Sequence, residues 1–97
     1  MAEKLIYSYE TIFIIDASLE EDAIKALTEK FTALISKNGT LESVDEWGKR
    51  RLAYEINDRT EGYYVLVDFK AGADFPKELD RQYRITDGIL RTIIIRK

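Results

Sequence analysis

The stretch DEWGKRRLAYEINDRTEGYYVLVDF, Asp45 to Phe69, predicts two antiparallel strands joined by a polar connection. Apolar and polar residues alternate from Arg50 to Ile56 and again from Tyr63 to Phe69. Segments that alternate with a period of two and are rich in β-branched and aromatic residues are typical of half-buried strands. Residues 57–62, NDRTEG, supply turn chemistry, because Asn and Asp bond the backbone locally and Gly62 accepts a positive φ. The stretch therefore predicts a β-hairpin.

Charges and a tryptophan distinguish this hairpin from an ordinary one. Trp47-Gly48 precedes the first strand, where a glycine permits a kink or a bulge. Three cations, Lys49-Arg50-Arg51, follow at once, and Asp45 and Glu46 lie just upstream. These charges either protect a sheet edge against pairing with other chains or form, beside the tryptophan, a docking surface for a protein or nucleic-acid partner. The residues alone leave both interpretations open.

Composition narrows the class of protein. The chain has 97 residues, 45% of them hydrophobic, which predicts a single domain over residues 1–97 with one core. It contains no apolar run long enough to cross a membrane, and its first residues lack the features of a signal peptide. The absence of cysteine excludes disulfides, and the absence of histidine removes the commonest metal ligand and general base. We expect a cytoplasmic protein that is not an enzyme and has no cofactor.

The charge is distributed unevenly along the chain. Residues 1–46 contain four Lys and ten Asp or Glu, a net charge of −6, whereas residues 47–97 contain eleven Lys or Arg and eight Asp or Glu, a net charge of +3. This asymmetry predicts a basic face able to meet phosphate. Because the whole chain carries −3, we expect any affinity for RNA to be modest and localised.

The residues before the hairpin predict a strand and a helix. Leu5 to Ile15 alternates in the manner of a central strand. An apolar stripe with helical spacing predicts a helix from Leu19 to Lys37. Ser18 is expected as its N-cap, in a capping box with Glu21, and Gly39 is expected to end it in the left-handed conformation.

The remaining segments complete the predicted topology. Thr40 to Val44 is expected to form the outer half of the second strand. Asp74 is expected to cap a short helix with Pro76 in its first turn. Thr86-Asp87-Gly88 predicts a turn, and Ile89 to Arg96 a last strand. The order strand, helix, strand, strand, helix, strand predicts an α+β, ferredoxin-like βαββαβ fold, with a four-stranded antiparallel sheet and both helices on one face.

Charged residues also predict which side chains face away from the helices. The outward set is apolar with a charged rim, which is typical of an interaction surface. It comprises Ile12, Ile14, Tyr64, Leu66, Ile93 and Ile95, ringed by Glu10, Arg51, Glu55, Asp68 and Arg91. The inward set comprises Thr11, Phe13, Ile15, Leu52, Tyr54, Ile56, Val65, Val67, Phe69, Thr92 and Ile94. A tail, the loops or a second copy of the chain would be the alternative cover for the outward set.

Two other functions are disfavoured by the residues. An RNA-recognition motif stacks bases on aromatic rings of its central strands, but Tyr64 is the only outward ring predicted there, and the Lys/Arg-Gly-aromatic signature is absent. An enzyme is disfavoured because the chain lacks Cys, His and a glycine-rich phosphate loop. The acidic run Glu20-Glu21-Asp22 lies in the first turn of a predicted helix, where the dipole favours anions. A module that self-associates through its isoleucine-rich face remains an alternative.

The run from Trp47 to Ile56, followed by Gly62-Tyr63-Tyr64, resembles the central signature of the sixth protein of the bacterial small ribosomal subunit. The resemblance covers essentially the whole chain and includes Tyr9-Glu10, Asn38-Gly39, Arg84-Ile85-Thr86-Asp87 and Arg91. It implies a structural ribosomal protein that pairs with the eighteenth protein of the same subunit. The heterodimer would bind the central domain of 16S ribosomal RNA during assembly, with no membrane and no small-molecule substrate.

The resemblance also implies roles for particular residues. Six positions match the charged segment that the family uses around its protein partner, namely Asp45, Glu46, Trp47, Lys49, Arg50 and Arg51. The predicted protein-partner interface also includes two residues of the open sheet face, Tyr64 and Leu66. The positions that match its RNA-facing end are Tyr9, Arg84, Arg91 and Arg96, extended by Lys97. Two departures matter: Tyr7-Ser8 stands where many members carry basic residues, and no C-terminal extension follows Lys97, so contacts from either are not expected.

Overall fold

Six elements alternate along the chain in a computed structural model that describes residues 5–56 and 59–97, with the main chain alone at residues 53–56 and 59. They are β1 (Ile6–Asp16), α1 (Glu21–Asn38), β2 (Gly39–Ile56), β3 (Arg59–Gly72), α2 (Phe75–Arg84) and β4 (Ile89–Arg96). The strands form one antiparallel sheet in the order β2-β3-β1-β4. The ferredoxin-like prediction is confirmed, and both helices pack on one face of the sheet.

The core lies between that face and the helices. The alternating residues Thr11, Phe13 and Ile15 of β1 are fully buried there, and so are three alternating residues of β3, Val65, Val67 and Phe69. The helices contribute their apolar stripes, Ile24, Phe31 and Ile35 from α1 and Phe75, Leu79 and Tyr83 from α2. The inward faces predicted for β1 and β3 are therefore correct.

A buried hydrogen-bond chain joins α2 to the sheet. The hydroxyl of Thr11 donates to the carbonyl oxygen of Ile93 at 3.0 Å. Since that hydroxyl has one proton, the Tyr83 hydroxyl must donate to Thr11 Oγ1, which lies 3.0 Å away. Burial raises the pKa of Tyr83 well above its usual range. Three elements, α2, β1 and β4, thus meet at two hydrogen bonds.

The ends of α1 differ from the prediction. The helix begins at Glu21 with no side-chain cap, because Asp16 Oδ1 instead accepts the Ser18 amide at 2.9 Å and the Ser18 hydroxyl at 2.7 Å. The predicted capping box is therefore wrong. Gly39 is extended, at φ −167°, rather than left-handed. Its lack of a side chain matters because a Cβ there would collide with the main-chain oxygen of Lys70.

The second strand is continuous where two pieces were predicted. β2 runs through the Trp47-Gly48 interruption, where the register shifts between Glu46 and Gly48 and Gly48 has φ 80°. The predicted bulge is confirmed, and a further irregularity lies between Leu41 and Ser43.

The second half of β2 has the opposite orientation to the predicted one. Arg50 lies opposite Gly62 and Arg51 opposite Glu61, so Arg50 shares the helix-free face with Gly62 and Arg51 does not. Leu52 is buried. It lies on the helix-free face, since its Cδ2 is 3.2 Å from the position that a Cβ on Gly62 would occupy. The predicted outward Arg51 and inward Leu52 are both wrong, while the side chains predicted for residues 53–56 lie outside the described residues.

The hairpin connection is shorter than predicted. Arg59 to Gly62 belong to β3, and Arg59, Glu61 and Gly62 pair with β2. Asn57 and Asp58, expected in the turn, lie outside the described residues. Gly62 is buried in the sheet and does not have a positive φ, so its expected role in a turn is wrong. At the other end of the chain, Gly88 does have a positive φ, 93°, in the turn predicted before β4.

Candidate partner-binding surfaces

The helix-free face of the sheet, called the front face below, carries an apolar patch. On it lie the even-numbered residues of β1 and β3 and the odd-numbered residues of β4 from Arg91 to Ile95. Ile93 and Ile95 are 40% and 48% exposed, and Ile12, Tyr64 and Leu66 are half-buried. Ile14 was predicted to be exposed but is only 7% exposed, because Gly62 and Leu52 pack against it. The front face is thus apolar as predicted, but beside the hairpin its apolar side chains are more buried than predicted.

An aromatic and cationic cluster lies at the β2 side of the front face. The Trp47 ring stacks on Tyr64 with a centroid distance of 6.1 Å and an interplanar angle of 13°. Its Nε1 donates to Asp45 Oδ2 at 3.0 Å, and the Arg50 guanidinium lies 5.9 Å from the ring centroid. Trp47 remains 40% exposed. Four predicted interface residues therefore form one preorganised group, called the Trp47 cluster below, with Leu66 on the same face.

Three other predicted interface residues lie on the opposite side of β2. Glu46 is opposite Val65 and Lys49 opposite Tyr63, so both point toward the helix side, as Arg51 does. Glu46 accepts a hydrogen bond from the Tyr63 hydroxyl at 3.2 Å. Burial raises the pKa of Tyr63, and the nearby carboxylates of Glu46 and Glu21 raise it further. The predicted interface is thus split between the two faces of an edge strand.

The predicted RNA-contacting cations form two groups at the ends of β4. Arg84 and Arg91 border one cavity of about 180 Å³ between α2 and β4, and Arg84 also pairs with Asp80 at 2.9 Å. The Arg96 guanidinium lies 3.8 Å from the Tyr7 ring centroid on the helix side, whereas the side chain of the next residue, Lys97, reaches the front face. At roughly 3.3 Å per residue, Arg91 and Arg96 are about 17 Å apart along the strand.

Lys97 bonds to the sheet through both its main chain and its side chain, and the side chain lies on the front face. Its amide donates to the Ser8 carbonyl oxygen at 2.9 Å, and its Nζ pairs with Asp68 Oδ1 at 2.5 Å. Asp68 Oδ2 accepts a hydrogen bond from Ser43 at 3.0 Å. The hydrogen bond from Lys97 lowers the pKa of Asp68, and Asp68 in turn raises the pKa of Lys97. This network connects the end of β4 with β1, β3 and β2.

Tyr9 does not have the position expected of an RNA contact. Its side chain faces the helices, is 5% exposed and stacks on Phe69 at a centroid distance of 5.5 Å. The ring contributes to the core, so we leave Tyr9 out of the proposed RNA surface.

Comparison with known proteins identifies the family. The family model described as Ribosomal protein S6 matches residues 8–96. The chain belongs to the ribosomal protein S6 family. It is 57% identical over 90 residues to small ribosomal subunit protein bS6 from Clostridium perfringens, an alignment that covers 92% of this chain and 95% of that protein. It is 53% identical over 88 residues to bS6 from Alkaliphilus oremlandii, covering 91% and 94%.

The fold agrees with that of a solved S6 protein. The crystal structure of 30S ribosomal protein S6 from Thermotoga maritima matches with a TM-score of 0.90 and 30% sequence identity, covering 96% of this chain and 89% of that one. As an S6-family member, the chain is a small-subunit ribosomal protein, and the family is not enzymatic. Among the described residues of this S6-family chain, no group of three or more His, Cys, Asp or Glu is placed to hold a metal ion. No helix within the described ranges is long and apolar enough to span a membrane.

Sequence reasoning missed three contacts in this S6-family protein. The first is the contact between Tyr7 and Arg96, which forms because the antiparallel pairing of β1 with β4 places the start of β1 beside the end of β4. That pairing follows from the ferredoxin-like order, so the contact was open to prediction. The Lys97–Asp68 pair and the Tyr63–Glu46 bond depend on side-chain reach and on the β2 bulge, for which the sequence carries no comparable signal.

Proposed function

We propose that this protein binds the central domain of 16S ribosomal RNA as a heterodimer with the eighteenth protein of the small subunit, in the cytoplasm. Membership of the S6 family supports a ribosomal role. The exposed front face is the observation that carries the heterodimer, because two isoleucines and a tryptophan, each at least 40% exposed, share it. A contiguous apolar surface with a polar rim is the usual composition of a protein interface.

The Trp47 cluster is the proposed centre of the protein interface. Trp, Tyr and Arg are the residues most enriched at binding hot spots, where truncation of a single side chain costs 2 kcal/mol or more, up to about 4–8. Here all three are already in contact, with the Trp47 ring held by Tyr64 and by the hydrogen bond to Asp45. Preorganisation lowers the entropy lost on binding. Docking would cover Trp47 together with Leu66 and the exposed isoleucines.

The two cationic groups at the ends of β4 are the proposed RNA contacts. Arg84 with Arg91, and Arg96 with Lys97, can meet phosphates at two places along a duplex or loop. Phosphate contacts supply affinity without sequence specificity and make binding sensitive to salt. Since Arg84 and Lys97 each have a carboxylate partner, the isolated chain is expected to bind RNA weakly and to depend on its partner for additional positive charge.

Charge reversal on β2 tests the heterodimer. Arg50→Glu places an anion against the Trp47 ring and should weaken binding of the eighteenth protein by about tenfold or more, equivalent to about 1.4 kcal/mol. Arg51→Glu is the matched control, because the same change is made on the neighbouring residue that faces the helix side. Calorimetric titration of each variant measures both affinities. Equal losses in the two variants would contradict docking on the front face.

Salt dependence tests the RNA surface. Arg91→Ala in the heterodimer should lower affinity for central-domain RNA and reduce the slope of log K against log salt by about one. Arg81→Ala removes an equivalent charge from α2, where Arg81 is paired with Glu78 at 2.7 Å, and should leave the slope unchanged. An Arg91→Ala variant with the wild-type slope would exclude Arg91 from phosphate contact.

Self-association through the front face is the second candidate function. The exposure of Ile93 and Ile95 favours it, because such side chains are normally covered in an assembled state. Sedimentation equilibrium of the isolated chain distinguishes the two candidates. A tight homodimer that Ile95→Lys dissociates would favour self-association, and a monomer would favour the heterodimer.

A further inference from the structure

A cleft lies on the helix side of β2, behind the Trp47 cluster. It has a volume of about 420 Å³ and is formed by the start of α1, the edge of β2 and one residue of β3. Its lining residues are Leu19, Glu21, Ile24, Lys25, Glu46, Lys49 and Tyr63. Volumes of about 300–1,000 Å³ are typical of sites that hold a small ligand, so the cleft has room for one long side chain. None of the roles proposed above uses this cleft.

The lining is apolar at the bottom and charged at the rim. Ile24 is buried and Leu19 half-buried, and the half-buried ring of Tyr63 forms one wall. The four charged residues are exposed. A guest with an apolar stem and a charged head fits this gradient, because long cationic side chains bury their methylene groups while their heads stay at a polar rim.

The carboxylates of Glu46 and Glu21 indicate the charge that the head of the guest should carry. Glu46 is held against the cleft by its hydrogen bond from Tyr63, which uses Oε1 at 3.2 Å. A carboxylate accepts several hydrogen bonds, so Glu46 retains capacity for another donor. Both Glu46 and Glu21 raise the pKa of Tyr63 after the effect of burial, so both carboxylates act at the Tyr63 hydroxyl. A guest whose head reaches this point therefore meets Glu46 and Glu21, which favours a cationic head. Lys25 and Lys49 have flexible stems and can turn away.

The position of the cleft identifies the source of the guest. β2 is an edge strand of the sheet, and Glu46 and Lys49 are interleaved along it with Asp45 and Arg50 of the Trp47 cluster. A partner that covers the front face at this edge needs only to extend around one strand to reach the helix side. The cleft is thus continuous with the proposed protein interface and lies away from the cations of β4.

We propose that this cleft binds an arginine or lysine side chain from the docked protein partner, with its stem against Leu19, Ile24 and Tyr63 and its head on Glu21 and Glu46. The partner therefore grips β2 from both sides, with apolar contacts on the front face and a cation behind. The inference rests on the proposed function, since it specifies how the eighteenth small-subunit protein is held.

Neutralising single charges in the full chain tests the cleft. Calorimetric titration with the eighteenth small-subunit protein at low salt should show that Glu46→Gln weakens binding by about tenfold, the loss expected for an interfacial charge pair. Lys49→Met removes a competing cation and should tighten binding. Glu29→Gln is the control, because it makes the same chemical change on an exposed turn of α1 outside the cleft. Thermal unfolding of each variant verifies that the fold is retained.

The possible results separate the two proposals. Wild-type protein that fails to bind the eighteenth protein would refute the proposed function, and this inference with it. Wild-type binding with equal affinities for Glu46→Gln and Glu29→Gln would overturn only the role of the cleft. A larger loss for Lys49→Met than for Glu46→Gln would indicate an anionic guest, such as an RNA phosphate, and would also overturn it.

Discussion

Gly62 shapes the front face through the side chain that it lacks. A Cβ at this position would overlap Cγ2 of Ile14 and approach Cδ2 of Leu52 to 3.2 Å. Without it, residues of three strands, Ile14 of β1, Leu52 of β2 and Gly62 of β3, pack into a small apolar cluster outside the main core. The same position therefore fixes the root of the hairpin against the central strand.

Gly62→Ala should destabilise the protein by about 1–3 kcal/mol, the usual cost of overpacking a closely packed site. Urea denaturation measures the change in the free energy of unfolding. Gly72→Ala is the control, because its Cβ would meet only the flexible side chain of Asp74, at 3.2 Å, and should cost less than about 0.5 kcal/mol. Similar losses for both variants would show that the cluster at Gly62 is not tightly packed.

At the scale of elements, the bulge in β2 determines which charged side chains lie on each face of the sheet. With Gly48 at φ 80°, the strand adds a residue on one side, and the charged run that follows is divided between the two faces of the sheet. One edge strand thereby presents Trp47 and Arg50 to the front and Glu46 and Lys49 to the rear. Bulges and charges also discourage an edge from pairing with other strands, so both interpretations of the charges in the sequence apply to this strand.

The attachment of α2 to the sheet gives a second prediction. Tyr83→Phe removes one donor and leaves Thr11 bonded to Ile93, so it should cost about 1 kcal/mol. Thr11→Val removes the acceptor of Tyr83 and the donor to Ile93 and leaves buried polar groups unpaired, so it should cost more, about 2–4 kcal/mol. In the double variant the costs should not add, because both changes remove the same bond. Denaturation of the three variants completes the cycle, and additive losses would refute the hydrogen-bond chain.

Particular elements show how far the sequence predicts this structure. The alternation in β1 and β3 was enough to orient both strands, since the pairing between these two strands is regular over its whole length. The same reasoning failed for Arg51 and Leu52, because it assigned the apolar residue to the core, whereas Leu52 is buried beside Gly62 on the front face. The capping box failed because Asp16 competes for Ser18. For the candidate surfaces, the roles of the residues stay predictions, and the sequence could not predict that these residues would divide between the two faces of β2 and the two ends of β4.

At the scale of the whole molecule, surface carboxylates determine the response to acid. Hydrogen bonds from Arg81 and Gln82 lower the pKa of Glu78 to about 2, and the bond from Lys97 lowers that of Asp68. The unfolded chain therefore binds these protons more readily than the folded chain, so stability increases with pH. The chain contains no histidine, whose side chain would titrate near neutrality.

The free energy of unfolding should accordingly be nearly constant around neutral pH. It should decline as the pH falls below the ordinary pKa values of 4.5 for Glu and 3.8 for Asp toward about 2. The decline should be shallow and should weaken with added salt, because both side chains are partly exposed to solvent. Urea denaturation at a series of pH values measures it. Arg81→Ala should raise the pKa of Glu78 in an NMR titration, and an unchanged midpoint would contradict the role of Arg81.

The strand order has a consequence for synthesis of the chain. β1 lies between β3 and β4, so it is synthesised before both of the strands that will flank it. Until β4 has emerged from the exit tunnel, the edge of β1 that β4 will cover is open to any extended segment nearby, and open edges readily pair with other chains. A nascent copy crowded among polysomes is therefore vulnerable to misassembly at this edge for as long as β4 is still inside the tunnel.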